Sequence, residues 1–192
     1  MVDHIVRECI LAGVAGVQIH DTIFACRNTL AKIEIVSQEA FLDLVQAARN
    51  ARTSLHREIL IIIAHTGALE TLGLDATIAR LQRAVQHGAD AVLVDGLRSI
   101  DWVNKVVVAV KPAPVIYCTD PTGSPLNLSS LAAFIQGFRM IIYPGLSQGT
   151  VLRAVRENMN YLRHYQPQPI ASDYDVLHLM QLLGVRQLEP PN

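Results

Sequence analysis

The stretch Ile59–Leu97, "ILIIIAHTGALETLGLDATIARLQRAVQHGADAVLVDGL", decides how this chain folds. It opens with Ile59–Ala64, a strand-length run that is apolar on both faces. A strand covered on both sides reads that way. The run stops at His65-Thr66-Gly67. A helical pattern follows over Leu74–His87, with Leu74, Ile78, Leu81 and Val85 on one side and Gly88 as C-cap. A second oily run, Ala91–Val94, ends at Asp95. Strand, helix and strand in this order predict two parallel strands joined by a right-handed crossover.

The same alternation extends in both directions. Further strand-like runs are Gly16–His20, Pro114–Tyr117 and Met140–Tyr143. Helical patterns are expected over Ser37–Ala51, with Ser37 as N-cap, over Ile100–Val110, over Leu128–Phe134 and over Thr150–Tyr165. Alternating strands and helices of this kind predict an α/β fold built on a parallel sheet. A proline-rich linker then leads to a short apolar helix, Asp173–Leu183, ending at Gly184. The expected organisation is one domain over 1–165 and a C-terminal linker and helix over 166–192, suited to packing on another subunit.

Bulk properties narrow the function classes. The 192 residues suffice for one domain with a substantial core. They are 51% hydrophobic and 17% charged, with a formal net charge of -1. With no basic cluster, a nucleic-acid partner is not expected. Cys9, Cys26 and Cys118 are odd in number and widely spaced, which argues against a disulfide framework and for a reducing compartment. No signal-peptide pattern opens the chain, and no apolar run approaches the roughly 20 residues of a membrane span. A cytoplasmic protein acting on a small molecule is the expectation.

Four segments carry a family likeness: "AGVAGVQIHDT", "VSQEAFLDLVQAARNAR", the Ile59–Leu97 stretch, and "GSPLNLSSLAAFIQGFRMIIYPG". In order and in motif, the chain from about Val6 to Tyr165 resembles the isocitrate lyase / phosphoenolpyruvate mutase superfamily. The resemblance implies a TIM barrel, a dimer or tetramer with swapped C-terminal helices, and bond-making or bond-breaking on small 2-oxo and dicarboxylic acids. It also implies a bound Mg²⁺ that stabilises an enolate. By the same resemblance, Met1 falls in the helix before the fourth barrel strand. The expected fold is therefore a barrel of this kind lacking about its first three strands. The open arc left behind should be covered by a homo-oligomer or a partner chain, or be rearranged into an open sheet.

Barrel enzymes place their chemistry at the carboxyl ends of the strands. Those ends hold His20-Asp21-Thr22, His65-Thr66, Asp95, Cys118 to Asp120, and Tyr143. Against the family pattern they have drifted. His20-Asp21-Thr22 stands where the family has Glu-Asp-Gln, whose Glu helps hold the metal. His65 stands where an Arg grips the substrate carboxylate, and Gly67 replaces an Asp. Cys118 replaces an Asn, Asp95 conservatively replaces a Glu, and Gly123-Ser124-Pro125 keeps a turn. The family's Cys-Gly-His loop reads "FACRNTLAK", so no catalytic role passes to Cys26.

Imidazole is neither permanently charged nor bidentate, so a small dicarboxylate held in the family's manner is not expected. The leading expectation is a divergent lyase, isomerase or cyclase of specialised metabolism. His20, Asp21, His65 and Asp95 would supply acid–base or hydrogen-bonding groups. Thr22, Thr66, Cys118, Ser124 and Tyr143 would line the substrate pocket. Mg²⁺ remains possible only through the resemblance, and a two-His, one-carboxylate transition-metal site is a further option. The competing readings are an inactive, metabolite-binding or assembly member, and an ordinary Mg²⁺-dependent C–C lyase. A working site should bury His20 and His65 together; a relic should leave them apart and solvent-facing.

Overall fold

A computed structural model describes residues 1–23, 34–57, 59–119 and 126–164. The first compact unit ends at Pro144 and a second begins at Gly145. Helix α1 spans Val2–Leu11 and strand β1 Gly16–His20. Helix α2 is Gln38–Ser54, β2 is Ile61–Thr66, and α3 (Leu69–Leu72) and α4 (Leu74–Gln86) follow. Strand β3 is Ala91–Val94, α5 Ile100–Ala109, β4 Val115–Cys118, α6 Ser130–Ile135 and β5 Phe138–Ile142. The second unit contains α7, Leu146–Arg163. The tail over 166–192, including the helix expected at Asp173–Leu183, lies outside the described residues.

The strands form one sheet in the order β1-β2-β3-β4-β5, and every neighbouring pair is parallel. Strand order thus follows chain order with no reversal. Repeated right-handed crossovers in one direction put the helices that connect the strands on the same side of the sheet, as in a (β/α) barrel and unlike a doubly wound sheet. The packing agrees. Val6 and Ile10 of α1, Phe41 and Val45 of α2, Leu81 of α4 and Val103 of α5 share one buried cluster with Ile19, Ile62, Val92, Val115 and Phe138 of the strands.

Local chemistry places the helix starts. The Ser37 hydroxyl accepts from the Ala40 amide, Ser99 from Trp102 and Ser129 from Ala132. Each cap satisfies an amide that the first turn would otherwise leave without a partner. After α4 the chain turns at Gly88, whose φ of +113° suits glycine alone. At the amino ends of the strands, Asp90 accepts from the Ile62 amide at 2.7 Å and from Arg52 Nη1 at 2.6 Å. The same Arg52 nitrogen donates to the Leu60 carbonyl at 2.9 Å, so one ion pair ties the start of β2 to the start of β3.

The other face of the sheet carries Ile63, Ala91, Leu93, Ile116, Cys118 and Ile142, all from strands or their ends. It is the concave face of the barrel arc. Among the described residues no helix of the first unit packs on it, and Ile61 and Met140 are 43% and 51% exposed.

Candidate functional site

Side chains alternate between the two faces of a strand. In β1 the buried Ile19 joins the helix-side cluster, so Gln18 and His20 project onto the concave face. In β2 the helix-side residues are Ile62 and Ala64, which puts His65 on the concave face beside Ile63. Leu93 of β3 lies on that face, and Asp95 is the next residue of the same parity. The pairing carries the alignment to the strand ends. His20 and His65 are register partners, and Leu93 is the partner of His65 on the other side. The Asp95 amide continues the ladder by donating to the Thr66 carbonyl at 3.1 Å.

Three adjacent strands therefore deliver two imidazoles and a carboxylate to one point. The ring centroids of His20 and His65 are 3.8 Å apart with their planes tilted by 57°. His65 Nε2 lies 2.8 Å from Asp95 Oδ2, and His20 Nε2 lies 3.7 Å from the same oxygen. The two imidazoles are 12% and 11% exposed and the Asp95 side chain 42%, so the cluster opens through its carboxylate. Burial by itself would raise the Asp95 carboxyl. The imidazoles of His20 and His65 outweigh it through close polar contact and charge, and hold it well below the usual carboxylate range.

Two neighbours orient the rings. The Gln18 side-chain amide is in close hydrogen-bond contact with His65 Nδ1, which fixes that ring and turns Nε2 towards Asp95. The Thr22 hydroxyl is 3.4 Å from His20 Nε2. The contact between His65 Nε2 and Asp95 is short but lies off the hydrogen-bonding direction. Among the described residues this buried nitrogen has no directed hydrogen-bond partner.

Asp21 and Thr66, expected at the pocket, face the helices instead. Both are 0% exposed and one residue out of phase with the histidines they follow, so they face the helices. Thr66 Oγ1 donates to Asp21 Oδ2 at 2.6 Å, the Gly67 amide to Asp21 Oδ1 at 3.0 Å, and Arg80 Nε to Asp21 Oδ2 at 2.9 Å. Arg80 Nη2 also donates to the Val36 carbonyl at 2.8 Å. This sealed ion pair binds the ends of β1 and β2 to α4 from behind the site. Its carboxylate reaches neither imidazole.

Of the other expected residues, Cys118 lies on the concave face at the end of β4. Tyr143 follows β5 and is 46% exposed. Ser124 and the Cys26 loop lie outside the described residues. Two polar residues that the structure places at or behind the cluster were missed in the sequence. Gln18 is the lone polar residue inside "GVQIH", two before His20 and thus on its face. Arg80 sits on the apolar stripe of its helix, where a charge requires a buried partner. A separate hollow of about 470 Å³ runs along α7, lined by Ser147, Gln148, Val151, Leu152 and Val155. It has no titratable side chain and offers no catalytic group.

The fold and the cluster together define a (β/α)-barrel protein with a polar site at the carboxyl ends of its strands. The phosphoenolpyruvate phosphomutase family model matches residues 1–163, and the chain belongs to that family, within the isocitrate lyase / PEP mutase superfamily. It is 29% identical over 170 residues to 2-methylisocitrate lyase of Escherichia coli (strain K12), covering 88% of this chain and 56% of the relative. It is 34% identical over 162 residues to oxaloacetate decarboxylase of Bradyrhizobium diazoefficiens, covering 84% of this chain and 54% of the relative. The solved oxaloacetate acetylhydrolase bound to 3,3-difluorooxalacetate superposes with a TM-score of 0.87 at 29% identity, over 96% of this chain and 62% of that one. A 2,3-dimethylmalate lyase gives 0.87 at 27% identity over the same shares. The chain thus spans about half the length of the curated relatives it matches.

The donors at the strand ends do not fit the Mg²⁺ that the superfamily implies. Mg²⁺ is a hard ion that takes oxygen ligands in a near-ideal octahedron. The donors that converge among the described residues are two imidazole nitrogens and one carboxylate.

Proposed function

We propose that this chain carries the reaction centre of a divergent lyase- or isomerase-type enzyme that works by imidazole–carboxylate chemistry rather than through a Mg²⁺-stabilised enolate. The convergence of His20, His65 and Asp95 on the concave face supports this reading above any other observation.

In this reading the Gln18 amide is turned so that its carbonyl oxygen accepts from His65 Nδ1–H; His65 Nε2 then takes a proton from the substrate, and Asp95 stabilises the imidazolium that forms. His20, tilted against His65 and near the same carboxylate, returns a proton on the other side of the breaking or rearranging bond. Such positioned transfers contribute about 10²–10⁴-fold to a rate. The imidazole of His65 replaces the guanidinium expected from the family. The substrate is accordingly a hydroxy or oxo compound with fewer carboxylates than oxaloacetate. Cys118 and Thr22 line the approach. An assembly that covers the concave face belongs to the same reading, because exposed Ile61 and Met140 leave apolar surface on it.

The test is turnover of a panel of 2-hydroxy and 2-oxo compounds in EDTA and again with Mg²⁺. Activity that persists in EDTA and falls at least about 100-fold in His65→Asn supports the reading. Activity that needs Mg²⁺ and ignores His65→Asn overturns it in favour of the family-type metal reaction. No turnover under either condition favours a binding or assembly role.

A further inference from the structure

We propose that His20, His65 and Asp95 form a binding site for one borderline divalent transition-metal ion of the Zn²⁺, Co²⁺ or Fe²⁺ class, with Mg²⁺ excluded. The inference rests on the same cluster as the proposed function and names what would regulate it.

The first support is geometry. One nitrogen or oxygen from each of the three residues can be chosen so that all lie within 4.8 Å of one another. Bonds of about 2.0–2.2 Å to such an ion place donors about 3.0–3.5 Å apart in octahedral or tetrahedral geometry. The separations of 2.8 Å and 3.7 Å from Asp95 Oδ2 to the two Nε2 atoms bracket that span, so small side-chain rotations suffice.

The second support is donor chemistry. Imidazole suits Zn²⁺, Fe²⁺, Co²⁺ and Cu²⁺, and two imidazoles with one carboxylate and open positions make a facial site for such ions. The half-exposed Asp95 side leaves room for water or substrate in the remaining positions.

The third support is the state of His65. Its Nε2 is buried without a directed hydrogen-bond partner among the described residues, and it points into the cluster. Its nearest charged neighbour is Asp95 Oδ2 at 2.8 Å, so an ion entering the cluster would meet both groups at once. The Gln18 amide on Nδ1 accommodates either state of the ring. As placed, its NH₂ donates to Nδ1 and the proton sits on Nε2. Turned over, its carbonyl oxygen accepts from Nδ1–H, and the Nε2 lone pair is free for a metal. Metal-ligating histidines commonly use their second nitrogen in this way.

One Nε2 lone pair cannot hold a proton and a metal at once. Metal binding therefore releases protons and suppresses the proton transfer proposed above.

The experiment uses the full chain stripped with EDTA, then titrated with Co²⁺ without substrate and followed by visible absorption. The expected result is one Co²⁺ per chain with ligand-field bands, displaced by Zn²⁺ and unchanged by millimolar Mg²⁺. Asp95→Asn and His20→Asn, checked for folding by circular dichroism, should each weaken binding by about 100-fold or more, and Gln18→Ala by about tenfold. Absence of stoichiometric binding, or binding indifferent to Asp95→Asn and His20→Asn, overturns the site. Because binding is read without turnover, a chain that binds Co²⁺ but catalyses nothing refutes the proposed function alone. A chain that turns over in EDTA and never binds Co²⁺ refutes this inference alone.

Discussion

His20 and Asp21 are neighbours in the chain, yet they belong to two different kinds of electrostatics. Asp21 is sealed from solvent and saturated by Thr66, Gly67 and Arg80. His20 shares an open face with His65 and Asp95, where a ring nitrogen lacks a directed partner and a carboxylate reaches solvent. The difference shows how one strand end serves two purposes. A charge that is buried and completely satisfied holds the strands in register with the helix behind them. A ring nitrogen without a directed bond and a carboxylate open to solvent on the other face keep free energy available for a proton, an ion or a substrate.

The sharpest way to break this comparison is Arg80→Met. It leaves the Asp21 carboxylate buried without its cation and should cost about 3–5 kcal/mol in urea unfolding. A loss near zero would show that the pair is not the strut described here. Adding Asp21→Asn to Arg80→Met should restore part of that loss, because no bare charge then remains. On the open face the effects reverse. His65→Asn should cut any metal-free turnover at least about 100-fold while changing stability by only about 1 kcal/mol. An unfolding curve shifted as far as that of Arg80→Met would mean that His65 is structural.

Acid titration sharpens the same contrast. The Asp95 carboxyl is lowered in the folded protein from an ordinary value of 3.8. A depressed carboxyl contributes stability in full above its unfolded value, and that stability is lost as pH falls through the folded one. Asp95→Asn should therefore lower stability most near neutrality and flatten the acid limb below about pH 3.8, so that the two curves converge as pH falls. Superimposable acid limbs would count against the His20–His65–Asp95 contacts. The smallest effect is expected from Arg98→Ala, which breaks an exposed pair with Glu70 and should cost under about 1 kcal/mol.

Much of the fold was legible from the order of apolar runs. Gly16–His20 and Ala91–Val94 are strands with the bounds their composition suggests. Other bounds moved for tertiary reasons. The second run begins at Ile59, but pairing begins where the Ile61 amide donates to the Ala15 carbonyl, and Ile59 is 83% exposed. The fifth strand starts at Phe138 rather than Met140, because Phe138 packs with its ring centroid 5.1 Å from that of Tyr117. The polar Arg139 had hidden that start. Helix α7 starts at Leu146 behind Gly145, whose φ is +73°, so Gly149 lies within the helix rather than before it.

The sequence by itself determined the alternation of strands and helices, the parallel sheet, the family, and the presence of His20, His65 and Asp95 at strand ends. Local period and turn chemistry suffice for that, because they act over a few residues. Only the tertiary structure decided which of the polar residues meet. Pleating sends His20 and His65 to one face and Asp21 and Thr66 to the other, and pairing between strands sets the heights at which they stand. A one-residue change of phase exchanges those sets, and no local signal in "IHDT" or "AHTG" fixes that phase without the strands beside them.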